Sequence, residues 1–252
     1  AARVQQYSAL KAQLKPHKTA SNNWLKPLIG IAAVLLIGFS IFYYTSGLDT
    51  TVETLAAEQT TFELPDNSSV DLNAVSSLVY NKRKWSNDRQ VILDGEAFFK
   101  VAKGSKFDVK TKDGIVSVLG TEFNVKQRQN YFEVSCYEGL VSVTHHKKTI
   151  KLTPGKSYAV IDGKIITDEK ENTNSPGWIN NESRFSSRPL KYVIEEFQFQ
   201  YNIEVSTKDI DTQQLFSGSF THDNIDLALK SITLPLNLTY SKSGNTIVIK
   251  RE

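Results

Sequence analysis

Gly120 and Thr121 form the pair in this chain that is best suited to chemistry on its own backbone. A threonine hydroxyl can attack the preceding carbonyl carbon and convert the amide into an ester, and a glycine at that carbonyl removes side-chain crowding. The alternative is a glycine bend between two strands, with Thr121 as an ordinary β-branched strand residue. We favour the structural alternative and keep self-cleavage at this pair as a hypothesis.

Four carboxylates, at Asp66, Asp71, Asp94 and Glu96, raise the question of acid/base catalysis on a glycoside. A catalytic pair must face one cleft at a set separation, and nothing in the spacing of these residues places two of them so. Turn chemistry explains Asp66 and Asp94 more simply. No ordinary catalytic residue is predicted, and the chain is not expected to be an enzyme.

The histidine and cysteine residues do not follow the pattern of a metal or redox site. His145 and His146 are adjacent on a strand or turn, so their rings are predicted to point to opposite faces at the surface. Cys136 alternates with Phe132 and Val134, which predicts a buried packing residue, and a single cysteine cannot form an intramolecular disulfide. No cofactor and no metal ion are predicted.

A segment near the carboxyl end carries Leu215, Phe216, Gly218 and Phe220 and is predicted to be a strand. If this strand lies at a sheet edge, a partner protein could add a strand to it, because backbone groups at an edge are unpaired. The alternative is that both phenylalanines are core residues. These four residues are the predicted partner-binding set.

The elements that would position Gly120 and Thr121 belong to a predicted all-β domain over residues 60–167. Apolar residues recur with a period of two, between turn pairs such as Asp113-Gly114. The predicted strands are Val70–Leu72, Leu78–Asn81, Gln90–Leu93, Ala97–Val101, Phe107–Lys110, Ile115–Leu119, Glu122–Lys126, Tyr131–Tyr137, Leu140–Thr144, Thr149–Leu152 and Ser157–Ile161. This pattern indicates a sandwich, a roll or a solenoid-like stack, and the period does not choose between them.

A polar segment over residues 168–182 is predicted to be a linker to a small α+β domain over residues 183–252. That domain contains a helix-then-strand pattern twice. Its predicted elements are a helix over Pro189–Tyr201, strands at Ile203–Ser206 and Leu215–Phe220, a helix from the Asn224 cap to Ile232, and a hairpin of Leu236–Tyr240 and Thr246–Lys250. The predicted fold class is therefore mainly β, with one α+β domain.

An uncharged apolar run from Leu28 to Tyr44 predicts a single transmembrane helix over residues 27–46. A helix rises about 1.5 Å per residue, so about 20 residues cross roughly 30 Å of hydrocarbon. The leader, residues 1–26, contains Lys and Arg without any Asp or Glu, which predicts that the amino end is cytoplasmic. A short amphipathic helix is predicted within it. A cleaved signal peptide or an apolar core helix would not explain this charge asymmetry.

Composition excludes one class of function. The 252 residues carry a net charge of +3, and much of this excess lies in the leader, so the part after the apolar run is close to neutral. It lacks a basic stripe for phosphate contacts, and nucleic-acid binding is therefore excluded. The sequence contains no Met and begins without one, which suggests either a fragment that lacks its natural start, and with it part of the cytoplasmic region, or replacement of Met.

Four separated motifs resemble the FecR family, whose members regulate sigma factors in Gram-negative cell-surface signalling. They follow the family's order and cover roughly residues 60–143. The motifs are LPDNSSVDLNAVSSLVY (Leu64–Tyr80), VILDGEAFFKV (Val91–Val101), FDVKT (Phe107–Thr111) and VSVLGTEFNV (Val116–Val125). Residues 183–252 are similar to the domain that ends many FecR proteins and to the short domain of secretins and TonB-dependent receptors.

The resemblance implies a mechanism and its partners. A TonB-dependent outer-membrane receptor binds its ligand, its periplasmic signalling domain contacts the outer part of the chain, and the inner segment controls an extracytoplasmic-function sigma factor. Release involves proteases of regulated intramembrane proteolysis, and some relatives cleave themselves at a Gly-Thr pair such as Gly120-Thr121. The expected location is the inner membrane, with the carboxyl-terminal domains in the periplasm. Family members have a cytoplasmic helical domain larger than residues 1–26.

Two rival functions stay open at this stage. A membrane-tethered periplasmic module that binds glycan would show exposed aromatic residues on one β face. A tethered hydrolase would require two carboxylates that converge in one pocket.

Overall fold

The structure of the chain is a computed structural model that describes residues 25–45, 49–169 and 174–251. It divides into two compact units, residues 1–47 and residues 48–252, and each is described by itself. The predicted leader helix, within residues 1–24, lies outside the described residues.

The described part of the first unit is helix α1, Leu25–Thr45. The helix contains the apolar run, and the large apolar side chains that are described between Leu28 and Tyr44 are exposed by 48% to 78%. Among the described residues, no helix meets the combined requirement of length and hydropathy for crossing a bilayer. The predicted transmembrane helix therefore stays a prediction.

The second unit begins with a β domain of 13 described strands. They are β1 (Asp49–Thr54), β2 (Thr60–Glu63), β3 (Ser69–Leu72), β4 (Ser76–Asn81), β5 (Arg89–Lys100), β6 (Phe107–Lys110), β7 (Gly114–Val118), β8 (Glu122–Arg128), β9 (Tyr131–Glu138), β10 (Val141–His145), β11 (Lys148–Leu152), β12 (Lys156–Ile161) and β13 (Lys164–Glu169). The period-two pattern predicted most of them. It missed β1, β2 and β13, which are rich in Thr, Lys, Asp and Glu.

Strand β5 belongs to two sheets. Its first half pairs with β4 and β6, and its second half pairs with β3 and β8. The change occurs at Gly95, where φ is +119° and a Cβ atom would lie 2.6 Å from Cα of Ser76. The prediction of separate strands at Gln90–Leu93 and Ala97–Val101 is therefore wrong, because the glycine bends a single strand without ending it.

The two sheets share one apolar core. The first sheet has the order β1-β4-β5-β6-β7-β10-β11, and the second has the order β2-β3-β5-β8-β9-β12-β13. Alternate residues of both sheets form the core, in which Phe99 and Phe123 are fully buried and stacked with their ring centroids 5.1 Å apart. Burial of one such side chain contributes about 2–3 kcal/mol to stability. The predicted all-β domain is confirmed as two sheets joined through β5.

The terminal domain is α+β, as predicted, and begins after a 3₁₀ turn at Gly177–Asn180. Its elements are β14 (Glu182–Pro189), α2 (Leu190–Tyr201), β15 (Glu204–Lys208), β16 (Leu215–Thr221), α3 (Ile225–Thr233), β17 (Leu238–Ser243) and β18 (Thr246–Arg251). Strand β14 pairs with β16, and a second sheet has the order β15-β18-β17. The predicted cap is confirmed, since the Asn224 side chain accepts the amide of Leu227 at 3.0 Å. Strand β14 was not predicted.

Candidate functional site

Gly120 and Thr121 connect β7 to β8, as the sequence predicted. Gly120 has a φ of +147°, and a Cβ atom there would lie 2.8 Å from Cα of Lys103. A Cβ atom on the neighbouring Gly139 would lie 2.7 Å from Cγ2 of Thr121. Backbone conformation and close packing both require glycine at these positions. Gly120 therefore has a structural role that is independent of any cleavage.

The Thr121 side chain is enclosed, with 4% of the residue exposed. The backbone carbonyl oxygen of Thr121 accepts a hydrogen bond from the Val101 amide at 2.9 Å, which fixes the connection between β7 and β8. Its hydroxyl is buried and has no hydrogen-bond partner among the described residues. No described base therefore contacts this hydroxyl to take its proton during an attack on the Gly120 carbonyl. Self-cleavage stays a prediction.

The four carboxylates considered for catalysis have separate surroundings. Asp66 pairs with Arg89, and Asp71 accepts a threonine hydroxyl at 2.5 Å. Asp94 is exposed, whereas Glu96 is buried in a network described below. Within the described ranges, no group of three or more His, Cys, Asp or Glu residues could hold a metal ion. The arrangement does not bring a pair of these four carboxylates to one reaction centre.

The predicted geometry of His145 and His146 is wrong, because their ring centroids lie only 4.1 Å apart. His146 has a φ of +52° immediately after β10 ends, so strand alternation does not apply to it. His145 is half-buried, its Nδ1 lies 3.0 Å from the Tyr158 hydroxyl, and burial together with the His146 charge lowers its pKa.

Cys136 is a core residue as predicted, and burial raises the pKa of its thiol to about 11.

The predicted partner-binding residues divide between core and surface. Phe216 and Phe220 are each 1% exposed and lie in the core of the terminal domain, whereas Leu215 is 61% exposed. Gly218 is also exposed. Strand β16 pairs with β14, and no other described strand pairs with it. It offers a partner a backbone edge and the Leu215 side chain.

Sequence reasoning missed a contact between the β domain and the terminal domain that consists largely of buried charges. Lys126 on β8 lies 3.3 Å from Glu96 on β5 and forms an ion pair with Glu196 on α2. The exposed fractions of these side chains are 16%, 6% and 3%. Burial opposes both charges, but the attraction prevails: it raises the pKa of Lys126 and lowers the pKa of Glu196 to about 2. Both groups are therefore charged at neutral pH.

Amide side chains satisfy the carboxylates around Lys126. Asn73 and Asn124 donate to Glu96 at 3.1 and 2.9 Å. Gln200 on α2 donates to Glu196 at 2.8 Å and also to Asn73 at 2.9 Å. The hydrogen-bond network therefore crosses between the two domains, which matches the rule that buried charges need both a counter-charge and hydrogen bonds.

Arg188 makes a second charged contact between the domains and is 4% exposed. Its guanidinium donates to the Tyr131 hydroxyl at 3.1 Å and to Asp168 at 2.9 Å, and lies 3.6 Å from Glu133. The pairing of β14 with β16 shifts register just before this residue, and Ser187 has a φ of +50°. Such a bulge turns the strand and directs the Arg188 side chain toward the β domain.

A small aromatic contact adds to the interface. Tyr192 on α2 packs edge-on against Tyr131, with ring centroids 5.0 Å apart, and its hydroxyl donates to Asp162 at 2.7 Å. Arg128 of β8 lies over the Phe199 ring, 4.7 Å from the centroid. These contacts, together with the ion pairs, hold α2 and β14 against the second sheet.

A cleft of about 870 Å³ lies beside these contacts and is lined by both domains. Its aromatic lining residues are buried (Tyr131 and Trp178) or half-buried (Tyr137 and Phe185). The Trp178 indole donates to a side-chain amide at 3.2 Å. None of these four aromatic residues is fully exposed, and the glycan-binding rival stays untested.

Comparison with known proteins gives consistent results. Residues 50–142 match the family model for FecR protein, and residues 182–249 match the model for the FecR C-terminal domain. Two crystal structures from Parabacteroides distasonis, each assigned as an anti-sigma factor, are similar to the chain. One is 27% identical, covers 81% of this chain and 100% of its own, and has a TM-score of 0.77. The other is 26% identical, covers 81% and 99%, and has a TM-score of 0.76. No curated protein sequence matches the chain.

Each family match lies in one of the two folded parts described above, and the first covers the β domain as far as the start of β10. The first match contains the Gly120-Thr121 connection and Lys126, and the second contains β14, α2 and the rest of the terminal domain. The similarity to the secretin and TonB short domain stays a prediction, whereas the four motifs and both matches agree on one assignment. The chain belongs to the FecR family.

Proposed function

We propose that this chain is a single-pass inner-membrane regulator that receives a signal in the periplasm and controls an extracytoplasmic-function sigma factor. One observation carries the proposal: both FecR matches occur in a chain whose fold resembles a structure assigned as an anti-sigma factor. The family is regulatory and not enzymatic.

Membrane attachment is the second part of the proposal. Helix α1 has 21 residues, which at 1.5 Å per residue extend over about 30 Å, and its described apolar side chains are exposed. The basic leader supports a cytoplasmic amino end. Protease added to spheroplasts should remove residues 48–252 and leave an amino-terminal tag intact. Protection of the carboxyl-terminal domains would contradict this topology.

The incoming signal is proposed to reach the terminal domain from the periplasmic signalling domain of a TonB-dependent receptor. The unpaired edge of β16 and the exposed Leu215 support this assignment, because an added strand would gain backbone hydrogen bonds there. Proteases of regulated intramembrane proteolysis would then release the inner segment. A photo-crosslinker at Leu215 should capture the receptor domain in cells, whereas one at the equally exposed Leu234, 67% exposed, should not.

Transcription provides the direct test of the regulatory role. Cells that lack this chain should show changed expression of one set of sigma-dependent genes, and the full chain should restore normal expression. A variant that lacks residues 183–252 should restore membrane insertion without restoring the response to the receptor's ligand. Unchanged transcription in cells without the chain would overturn the proposal.

A further inference from the structure

The two folded domains of the second unit keep separate apolar cores. The β-domain core and the terminal-domain core have no residue in common. The apolar cluster in the described residues that draws on both domains is small, and it consists of Tyr131, Ala159, Ile161 and Tyr192, with Ile166 packed against it. Apolar burial therefore stabilises each domain internally and contributes little to holding them together.

The β-domain face under the terminal domain is instead polar and buried. Asn124, Glu133 and Ser135 are 6%, 6% and 1% exposed, and Lys126 is enclosed between Glu96 and Glu196. Contacts between domains that are polar resemble transient protein interfaces, and relative motion is the default expectation for them. Here the charged and polar side chains are largely buried, although a cleft lies beside them, so the ion pairs and hydrogen bonds define how the domains contact while apolar burial adds little.

A buried ion pair adds little stability when it is intact, but removal of one of its charges is costly. An intact pair contributes little net stability, because the cost of removing both charges from water offsets their attraction. Loss of Glu196 leaves Lys126 with Glu96 as a counter-charge inside the β domain, so the terminal domain loses its ionic attachment. Loss of Lys126 leaves the Glu96 and Glu196 carboxylates buried without their shared cation, and either change favours opening and hydration. The Lys126–Glu196 pair joins two domains, so this asymmetry acts on their separation and not on the fold of either domain.

We propose that the terminal domain is a releasable cap on the β domain, locked by the Lys126–Glu196 pair and by Arg188. In the closed state, α2 and β14 cover the second sheet; in the open state, both domains stay folded and the charged side chains become hydrated. The device is a property of residues 48–252 alone. The cap does not depend on which receptor or sigma factor the chain serves. The cap proposal can therefore be wrong while the proposed function is correct, and the proposed function can be wrong while the cap proposal is correct.

Distance measurement in the full chain tests the cap. Spin labels on cysteines introduced at Lys112 and Lys230, both exposed, report the separation of the domains, and the native Cys136 is buried and will not react. Wild type should give one narrow distance distribution. The Glu196→Ala variant should give a broad distribution at longer distances. Protease cleavage between the domains should accelerate on the order of 10-fold, because loss of one charge-assisted contact raises the open population that governs cleavage.

Two further variants separate opening from unfolding. Lys242→Ala removes an exposed ion pair with Asp226 inside the terminal domain and should leave distances and cleavage unchanged. Glu196→Gln keeps the side-chain volume and should open the cap less than Glu196→Ala. Far-ultraviolet circular dichroism must stay at the wild-type value in every variant. A wild-type distance distribution in Glu196→Ala, or opening accompanied by loss of helical signal, would overturn the proposal.

Discussion

Strands β8 and β9 are buried on both faces, but the two faces are made of different residues. The inward face is apolar and fully buried, and consists of Phe123, Val125, Phe132 and Val134. The outward face lies under the terminal domain and is polar, and consists of Asn124, Lys126, Glu133 and Ser135. Burial and apolar character are therefore separate properties of these strands. The inward face stabilises the fold of the β domain, and the outward face binds the terminal domain.

The largest expected effect is on the inward face. Phe123→Ala removes a fully buried ring that stacks on Phe99, and it should lower the free energy of unfolding of the β domain by about 3–5 kcal/mol, because a cavity is left behind. Urea denaturation measures this change. Ile92→Ala is the control, since Ile92 is 51% exposed and its truncation should cost less than about 0.5 kcal/mol. Equal effects of the two substitutions would contradict the assignment of the core.

The outward face should show the coupling expected of a buried pair. Lys126→Met alone should destabilise the domain contact by about 3 kcal/mol, because Glu196 is left charged and buried. Lys126→Met combined with Glu196→Leu should recover part of that loss, since Glu96 keeps its two amide donors but loses its cation. A double-mutant cycle on the first unfolding transition measures the coupling. Additive effects of the two substitutions would show that the pair does not interact.

The difference between these faces explains what the sequence could predict. Alternation of Phe123 and Val125 with polar residues identified β8, because inward side chains recur every second residue. The same alternation assigns Lys126 to a solvated face, and only the structure shows that Glu196, 70 residues later, covers it. Local pattern carries no information on such distant partners.

Strand β14 also could not be predicted from local sequence pattern. Its sequence, ESRFSSRP, has neither a strand period nor a helical one, and it forms a strand because β16 supplies the pairing. Arg188, at its end, offered no signal as a functional residue for that reason. By contrast, the Asn224 cap and the glycine-containing turns were predictable, because their chemistry is local.

Acid should loosen the outward face before it affects the inward one. The pKa of Glu196 is lowered from 4.5 to about 2 in the folded state, so its contribution is present above pH 4.5 and is lost as the pH falls toward 2. Distance distributions between labelled domains should therefore broaden over that pH range in wild type. Glu196→Gln should show a flatter dependence on pH, and identical curves would assign the transition to other groups.

The smallest effect on stability is expected at Thr121. This buried residue is also the predicted site of self-cleavage. Its hydroxyl is buried without a partner among the described residues, so Thr121→Val should leave stability unchanged or raise it by up to about 1 kcal/mol. If self-cleavage occurs, purified wild type should separate into two fragments on a denaturing gel after long incubation, and Thr121→Val should stay intact. Intact wild type would show that the pair serves the fold alone. Gly120→Ala should then still be destabilising, because a Cβ atom at this position would lie 2.8 Å from Cα of Lys103 whether or not the chain is cut.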